Sequence, residues 1–154
     1  YFFDDINIKT KMPAYMNKSK TDSWGTPKDL YKTLNDEFHF DEFDPCPLTD
    51  DPTFNGLQME WAQTTFVNPP YSNLKSTKKS GIGWIEKSHL EAQKGKTIVL
   101  LIPARTDTTW FHDIILANNY QVRFMKGRTK FINKETGKVE GTAPFPTMVV
   151  IMKS

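Results

Sequence analysis

The sequence holds a single cysteine, Cys46, so no disulfide can form within it, which suits a reducing cytoplasm. No apolar run comes near the roughly 18 residues that a membrane span needs. The opening stretch, YFFDDINIKTKMPAY, lacks a basic start followed by a long apolar run, so it does not have the form of a signal peptide. Charge of either sign is nearly balanced, at +2 over 154 residues. That neither demands nor excludes nucleic acid, and local clustering has to decide. The three histidines, His39, His89 and His112, are scattered rather than set at metal-ligand spacing, and no metal is expected. There is no internal repeat and no low-complexity tract.

What is present is ordinary for a soluble globular chain: 38% apolar, 25% charged and 13% aromatic residues. The length suits one domain that buries roughly two thirds of its unfolded surface. Residues 1–15 show no periodicity, and Met16 opens a polar stretch that soon becomes motif-like. The expectation is an N-terminal extension over 1–15, which need not be native, and a single domain over 16–154.

Thr26 as cap, Pro27 at the first helical position and Asp29 three residues after the threonine predict a helix over 27–38. Leu30, Tyr31, Leu34 and Phe38 give it one apolar face. A short strand is expected near 40–43, after which Pro45, Pro47 and Pro52 forbid regular structure. TTFV, at 64–67, reads as a strand ended by Pro69 and Pro70. Ile82, Ile85, His89 and Ala92 mark a helix stopped at Gly95. KTIVLLIP is a continuous aliphatic run, as in a strand buried on both faces of a parallel sheet. A further helix follows in TDTTWFHDIILANN, with Trp110, Phe111, Ile114, Ile115 and Leu116 on its apolar side. QVRFM and TMVVIM are two more strands, and the segment between them reads as a hairpin turning at Glu135–Gly137.

Strands alternating with helices predict a three-layer α/β sheet, in which ligands bind outside the carboxyl ends of the strands. DPCP, NPPYS and PARTDTTW lie at three such ends. In the second, the Asn68 carboxamide oxygen and the Pro69 carbonyl can both accept from one exocyclic amine. Two acceptors hold that nitrogen and favour its movement toward tetrahedral geometry, which frees its lone pair for attack. Pro69 and Pro70 fix φ, so the acceptors need no ordering on binding. Tyr71 can stack on the planar base that carries the amine. Taken alone, the tetrapeptide favours a stiff turn. Asp44, Trp24 and Thr26 on the same rim shift that balance toward a site.

Trp24–Gly25–Thr26–Pro27, Asp44–Pro45–Cys46 and Asn68–Pro69–Pro70–Tyr71, in that order, resemble the motifs of amino-methyltransferases acting on DNA. With LLIPARTDTTWFH, RFMKGRTKF and APFPTMVVI, the chain resembles the phage DNA N-6-adenine-methyltransferase (Dam-like) family from about 22 to 152. The resemblance implies a Rossmann-like methyltransferase fold, mostly parallel with an antiparallel last strand. It implies S-adenosylmethionine as methyl donor and adenine N6 in double-stranded DNA as acceptor, in a monomeric cytoplasmic enzyme of a bacterial host cell. Asn68, Pro69, Pro70 and Tyr71 become the catalytic loop. Asp44, Pro45 and Cys46 become the cofactor contact together with Asn68, and Trp24, Thr26 and Pro27 the segment near the methionine moiety. One departure is the missing glycine-rich continuation, where the chain reads Cys46–Pro47–Leu48–Thr49.

Two clusters offer phosphate neutralisation: Lys75, Lys78 and Lys79 after the catalytic loop, and Arg123, Lys126, Arg128 and Lys130 interleaved with Phe124 and Phe131. Arg105 and Asp107, on the third loop, could contact DNA or orient the site; packing, or for Asp107 capping of the following helix, is the other reading. N4-cytosine methylation shares the chemistry, and an inactive DNA-binding module is the alternative from another class.

Overall fold

The structure is a computed structural model that describes residues 24–154, except Leu48, Asp50, Lys134, Glu135 and Gly137 and the side chains of Trp24 and Glu140. The extension expected over 1–15 therefore lies outside the described residues. In chain order the elements are β1 (Trp24–Gly25), α1 (Lys28–Phe38), β2 (Thr64–Val67), α2 (Trp84–Gln93), β3 (Thr97–Pro103), a π-helical segment (Phe111–Leu116), β4 (Gln121–Phe124), β5 (Lys130–Asn133), β6 (Val139–Thr142) and β7 (Thr147–Lys153).

The aliphatic runs become the centre of a four-stranded sheet ordered β2-β3-β7-β4. Ile98, Val99, Leu100, Leu101 and Ile102 of β3 are all fully buried, as are Met148, Val150 and Met152 of β7. β2 and β3 pair in parallel, but β7 is antiparallel to both β3 and β4. The sheet is thus mixed, and the expectation of a mostly parallel one is corrected: two of its three ladders are antiparallel. The cause is the excursion from 125 to 146. It leaves β4 and returns on the same rim, so β7 enters the sheet there and has to run back. A parallel entry would need a crossover along the sheet.

That excursion builds a second sheet, ordered β1-β5-β6 and antiparallel throughout. β5 and β6 form the expected hairpin arms, while Glu135 and Gly137 at the expected turn lie outside the described residues. The pairing of β1 was not foreseen: Trp24 stands opposite Asn133 and Gly25 opposite Ile132. Two residues carry no strand signal of their own.

The stretch 40–43 is not a strand. Instead Asp41 N–H donates to the Thr64 carbonyl at 2.9 Å, and the Asp41 carboxylate accepts from Thr64 N–H at 2.9 Å. A side-chain oxygen replaces the carbonyl of a neighbouring strand. α1 matches its expected span but not its expected cap, because no side chain caps Pro27. Its Tyr31 and the following Phe40 pack on Phe66 of β2.

α2 buries charge as well as apolar surface. Glu91 is fully buried and meets Lys87 Nζ at 2.8 Å, Lys96 Nζ at 2.6 Å and Lys94 Nζ at 3.0 Å. It also accepts from Trp61 N–H at 3.1 Å. Burial alone would raise the Glu91 pKa, but the lysines and the Trp61 amide outweigh it and hold the carboxyl at about 2. In the last helical segment Trp110, Phe111 and Ile115 are buried as expected, whereas Leu116 is exposed. Thr108, not Asp107, receives the Phe111 N–H at 3.3 Å.

Candidate active site

β2 delivers Asn68 to the carboxyl rim, where it is 7% exposed. The chain beyond Pro70 closes a single 3-10 turn, Tyr71–Asn73, through Asn73 N–H to the Pro70 carbonyl at 3.3 Å. Both ends of the Asn68 carboxamide are held. Nδ2 donates to Thr26 Oγ1 at 3.1 Å, and Oδ1 accepts from the Tyr71 hydroxyl at 3.2 Å. The same hydroxyl lies 3.2 Å from the Leu101 carbonyl of β3. Thr26 therefore serves Asn68, 42 residues on, rather than the helix it precedes.

Tyr71 is buried, edge-on to Phe131 and Phe145 at centroid distances of 6.1 and 5.8 Å. Burial pushes its phenol well above the usual tyrosine range, and the nearby Arg105 charge opposes this without prevailing. The phenol is a neutral donor at any physiological pH. The ring expected to stack on a base packs against Phe131 and Phe145 in this structure.

Asn68 separates two cavities. One, of about 340 Å³, is lined by Gly25, Thr26, Lys28, Tyr31, Asp44, Phe66, Asn68 and Ile132. The other, of about 660 Å³, is lined by Pro45–Cys46–Pro47, Asn55–Gly56–Leu57, Asn68, Pro70, Ser72, Asn73, Ser80 and Trp84 among others. Both volumes are in the range of small-molecule sites. Tyr71 lines neither. Asp44 is exposed, and one carboxylate oxygen accepts from Cys46 N–H at 2.8 Å, which shapes the tight Asp44–Pro45–Cys46 loop. The second oxygen accepts no hydrogen bond among the described residues.

Motif reasoning missed what supports that loop. Gly56 sits so close that a Cβ on it would lie 1.9 Å from the Pro45 carbonyl oxygen. Its own carbonyl accepts from the Trp61 indole at 2.7 Å, and Trp61 stacks on Trp84 of α2. The one available signal was Asn55–Gly56, a turn dipeptide amid prolines. In place of a glycine-rich loop, a single glycine lets two loops touch.

The expected site residues therefore divide. Thr26, Asp44 and Asn68 meet at the smaller cavity, and Pro45, Cys46, Asn68 and Pro70 at the larger. Pro69 is buried and lines neither, Pro27 only leads into α1, and the Trp24 side chain lies outside the described residues. Lys75, Lys78 and Lys79 are exposed, the last two on a small loop closed by reciprocal Thr77–Gly81 backbone bonds. Lys126, Arg128 and Lys130 are exposed too, and Arg105 lies half-buried over the Phe145 ring at 5.8 Å. Two members of the second basic cluster face elsewhere. Arg123 binds both Glu37 oxygens at 2.7 Å, and Phe131 is buried beside Tyr71. The three histidines do not gather, and among the described residues no His, Cys, Asp or Glu cluster could hold a metal ion. Among the same residues no helix is long and apolar enough to cross a membrane.

Fold and site define a mixed α/β protein whose strand-end carboxamide stands, immobilised, between two ligand-sized cavities. Residues 14–154 match the family model for DNA N-6-adenine-methyltransferase (Dam). The chain belongs to that family and is an enzyme of the DNA adenine-N6 methyltransferase type. No curated protein and no solved structure matches it.

Proposed function

We propose that the protein transfers a methyl group from S-adenosylmethionine to the N6 amine of adenine in double-stranded DNA. The observation that carries this reading is the Asn68 carboxamide, held at both ends where the two cavities meet. The smaller cavity suits the cofactor. Tyr31, Phe66 and Ile132 offer apolar walls, while Asp44 and Lys28 offer the opposite charges that a zwitterionic amino-acid end requires. Bound there, S-adenosylmethionine supplies a methyl carbon activated by the neighbouring sulfonium.

The larger cavity takes the extruded adenine. Asn68 Oδ1 and the Pro69 carbonyl accept the two N6 protons, which directs the nitrogen lone pair at the methyl carbon. The C–N bond forms as the C–S bond breaks, and the extra N6 proton leaves to solvent. Exposed Lys75, Lys78, Lys79, Lys126, Arg128 and Lys130, with Arg105 nearer the rim, bind phosphates. The fold is read as Rossmann-like, supported by β7 entering antiparallel between two strands that share one direction. The protein acts as a monomer in a bacterial cytoplasm and is phage or prophage encoded. Its role is DNA modification that evades restriction.

The test uses labelled S-adenosylmethionine and unmethylated DNA, followed by digestion to nucleosides. Labelled N6-methyladenosine with the wild-type protein, and none with Asn68→Ala, is the expected result. Label on cytosine N4, or none at all, overturns the reading.

A further inference from the structure

Trp61 lines neither cavity and is only 2% exposed, yet it touches two parts of the larger cavity's wall. One part is the pair of loops Pro45–Cys46–Pro47 and Asn55–Gly56–Leu57; the other is Trp84, the first residue of α2. The Trp61 indole N–H donates to the Gly56 carbonyl at 2.7 Å. Its ring stacks on Trp84, with centroids 6.1 Å apart and planes 28° apart.

The same residue is held by the buried charges of α2 and its neighbours. Trp61 N–H donates to Glu91 at 3.1 Å, and the Trp61 carbonyl accepts from Lys96 Nζ at 2.6 Å. Lys87 Nζ donates to the Met59 carbonyl at 2.7 Å and lies 5.6 Å from the centroid of the Trp61 ring. Well-packed apolar side chains would anchor α2 at least as strongly, so stability alone does not account for ions at this place. What a satisfied polar network adds is one fixed arrangement of the groups it joins.

We propose that Trp61 is a positioning residue for the larger cavity, setting the distance between the Gly56 loop and Trp84, and that the buried ions set Trp61 in turn. The inference rests on the methyltransfer reading for the occupant, an extruded adenine, and not for the geometry. A planar base gains from its walls only at contact distance. A gap of about 0.5–1 Å already forfeits a quarter to a half of the dispersion attraction. It also lets the amine drift from the line of attack.

The protein carries its own reporter of that wall. Cys46 is the sole cysteine, and it lines the larger cavity next to Pro45, whose carbonyl packs on Gly56. Trp61→Phe keeps a ring against Trp84 and removes the donor to the Gly56 carbonyl. In the native protein, free of cofactor and DNA, alkylation of Cys46 by iodoacetamide should become roughly tenfold faster, as when a buried hydrogen bond that closes a loop is lost. In methylation assays kcat should fall by roughly the same factor, while the KM values for cofactor and DNA change less than about twofold. The partners of Trp61, Gly56 and Trp84, line only the larger cavity, and DNA affinity comes from phosphates.

Trp110→Phe is the comparison for a purely structural role, since Trp110 is also buried and lines neither cavity. It should lower the melting temperature and leave both the alkylation rate and kcat unchanged. Lys87→Met should act in the same direction as Trp61→Phe but less strongly, which covers the case of a poorly folded phenylalanine variant. Three results would each overturn the inference: alkylation unchanged in Trp61→Phe and Lys87→Met, an equal rise in Trp110→Phe, or a cofactor KM that rises as far as kcat falls. If the wild type methylates no adenine, the functional reading fails, and the alkylation rates still decide the role of Trp61.

Discussion

At the scale of single residues, the arrangement turns on how two loops approach each other. Gly56 lets its backbone touch the Pro45 carbonyl, and so sets the position of Asp44 and Cys46 between the two cavities. Gly56→Ala forces a methyl group onto that backbone oxygen, and neither side is a flexible side chain that could give way. The expected cost is about 1–3 kcal/mol of stability, as for overpacking elsewhere. S-adenosylmethionine binding should also weaken, measured by calorimetric titration beside a thermal melt. Unchanged affinity would show that the loop can shift without moving Asp44. The same scale shows why motif reading stops short. Asn68, Asp44 and Pro70 were legible because their chemistry is local. The partnership of Asn68 with Thr26 was not, because a threonine before a proline reads as a helix cap, and only the folded chain shows that no cap is formed. Tyr71 was legible as part of the tetrapeptide, but the packing that fixes its ring comes from Phe131 and Phe145, sixty and more residues away.

At the scale of elements, α2 is anchored by charge. The fall of the Glu91 carboxyl from 4.5 to about 2 corresponds to about 3 kcal/mol of differential stabilisation of its ionised form. Because the folded-state value is the depressed one, that contribution is complete above about pH 4.5. It drains away as the pH falls toward 2, where the carboxyl protonates in the folded protein too. Urea midpoints measured at steps between pH 6 and pH 3 should fall accordingly, and Glu91→Gln should flatten that slope. At pH 7 the same variant should lower the urea midpoint, since it takes from Lys87 the carboxylate it meets at 2.8 Å and leaves Lys96 and Lys94 with the exposed Glu60. The periodicity of α2 gave its span but placed no charge inward, because Glu91 becomes tolerable there only through Lys96, Lys87 and Trp61. Arg123 makes the opposite case. Its bond to Glu37 lies at the surface, so Arg123→Ala should cost under about 1 kcal/mol. It should leave the salt dependence of DNA binding unchanged, despite its place in a basic run.

At the scale of the whole molecule, the rim gathers what the chain separates. The apolar runs made β3 and β7 legible, since an uninterrupted aliphatic stretch ended by proline or flanked by turns has few other places to go. The order in which they associate was not, because β7 takes its direction from where the 125–146 excursion returns. Nor was the small sheet, whose two-residue β1 exists only because β5 is there to pair with it. That sheet carries Gly25 and Ile132 to the smaller cavity and sets Phe131 against Tyr71. The loop bearing Lys78 and Lys79 is exposed and follows the Tyr71–Asn73 turn in the chain. Replacing both with alanine should make the plot of log affinity against log salt shallower by roughly 1.8, about 0.9 for each lost phosphate contact, without changing which base is modified. An unaltered slope would remove that loop from the DNA surface.

The central claim, that the carboxamide at the end of β2 directs a methyl group to adenine N6, is tested most directly in cells. DNA from a host without adenine methylation of its own, expressing either the wild-type chain or Asn68→Ala, is sequenced by a method that detects modified bases. The account predicts N6-methyladenine at a recurring sequence with the wild type and none with the variant. Unmodified adenine in both, or methylation that persists without the Asn68 carboxamide, would contradict it.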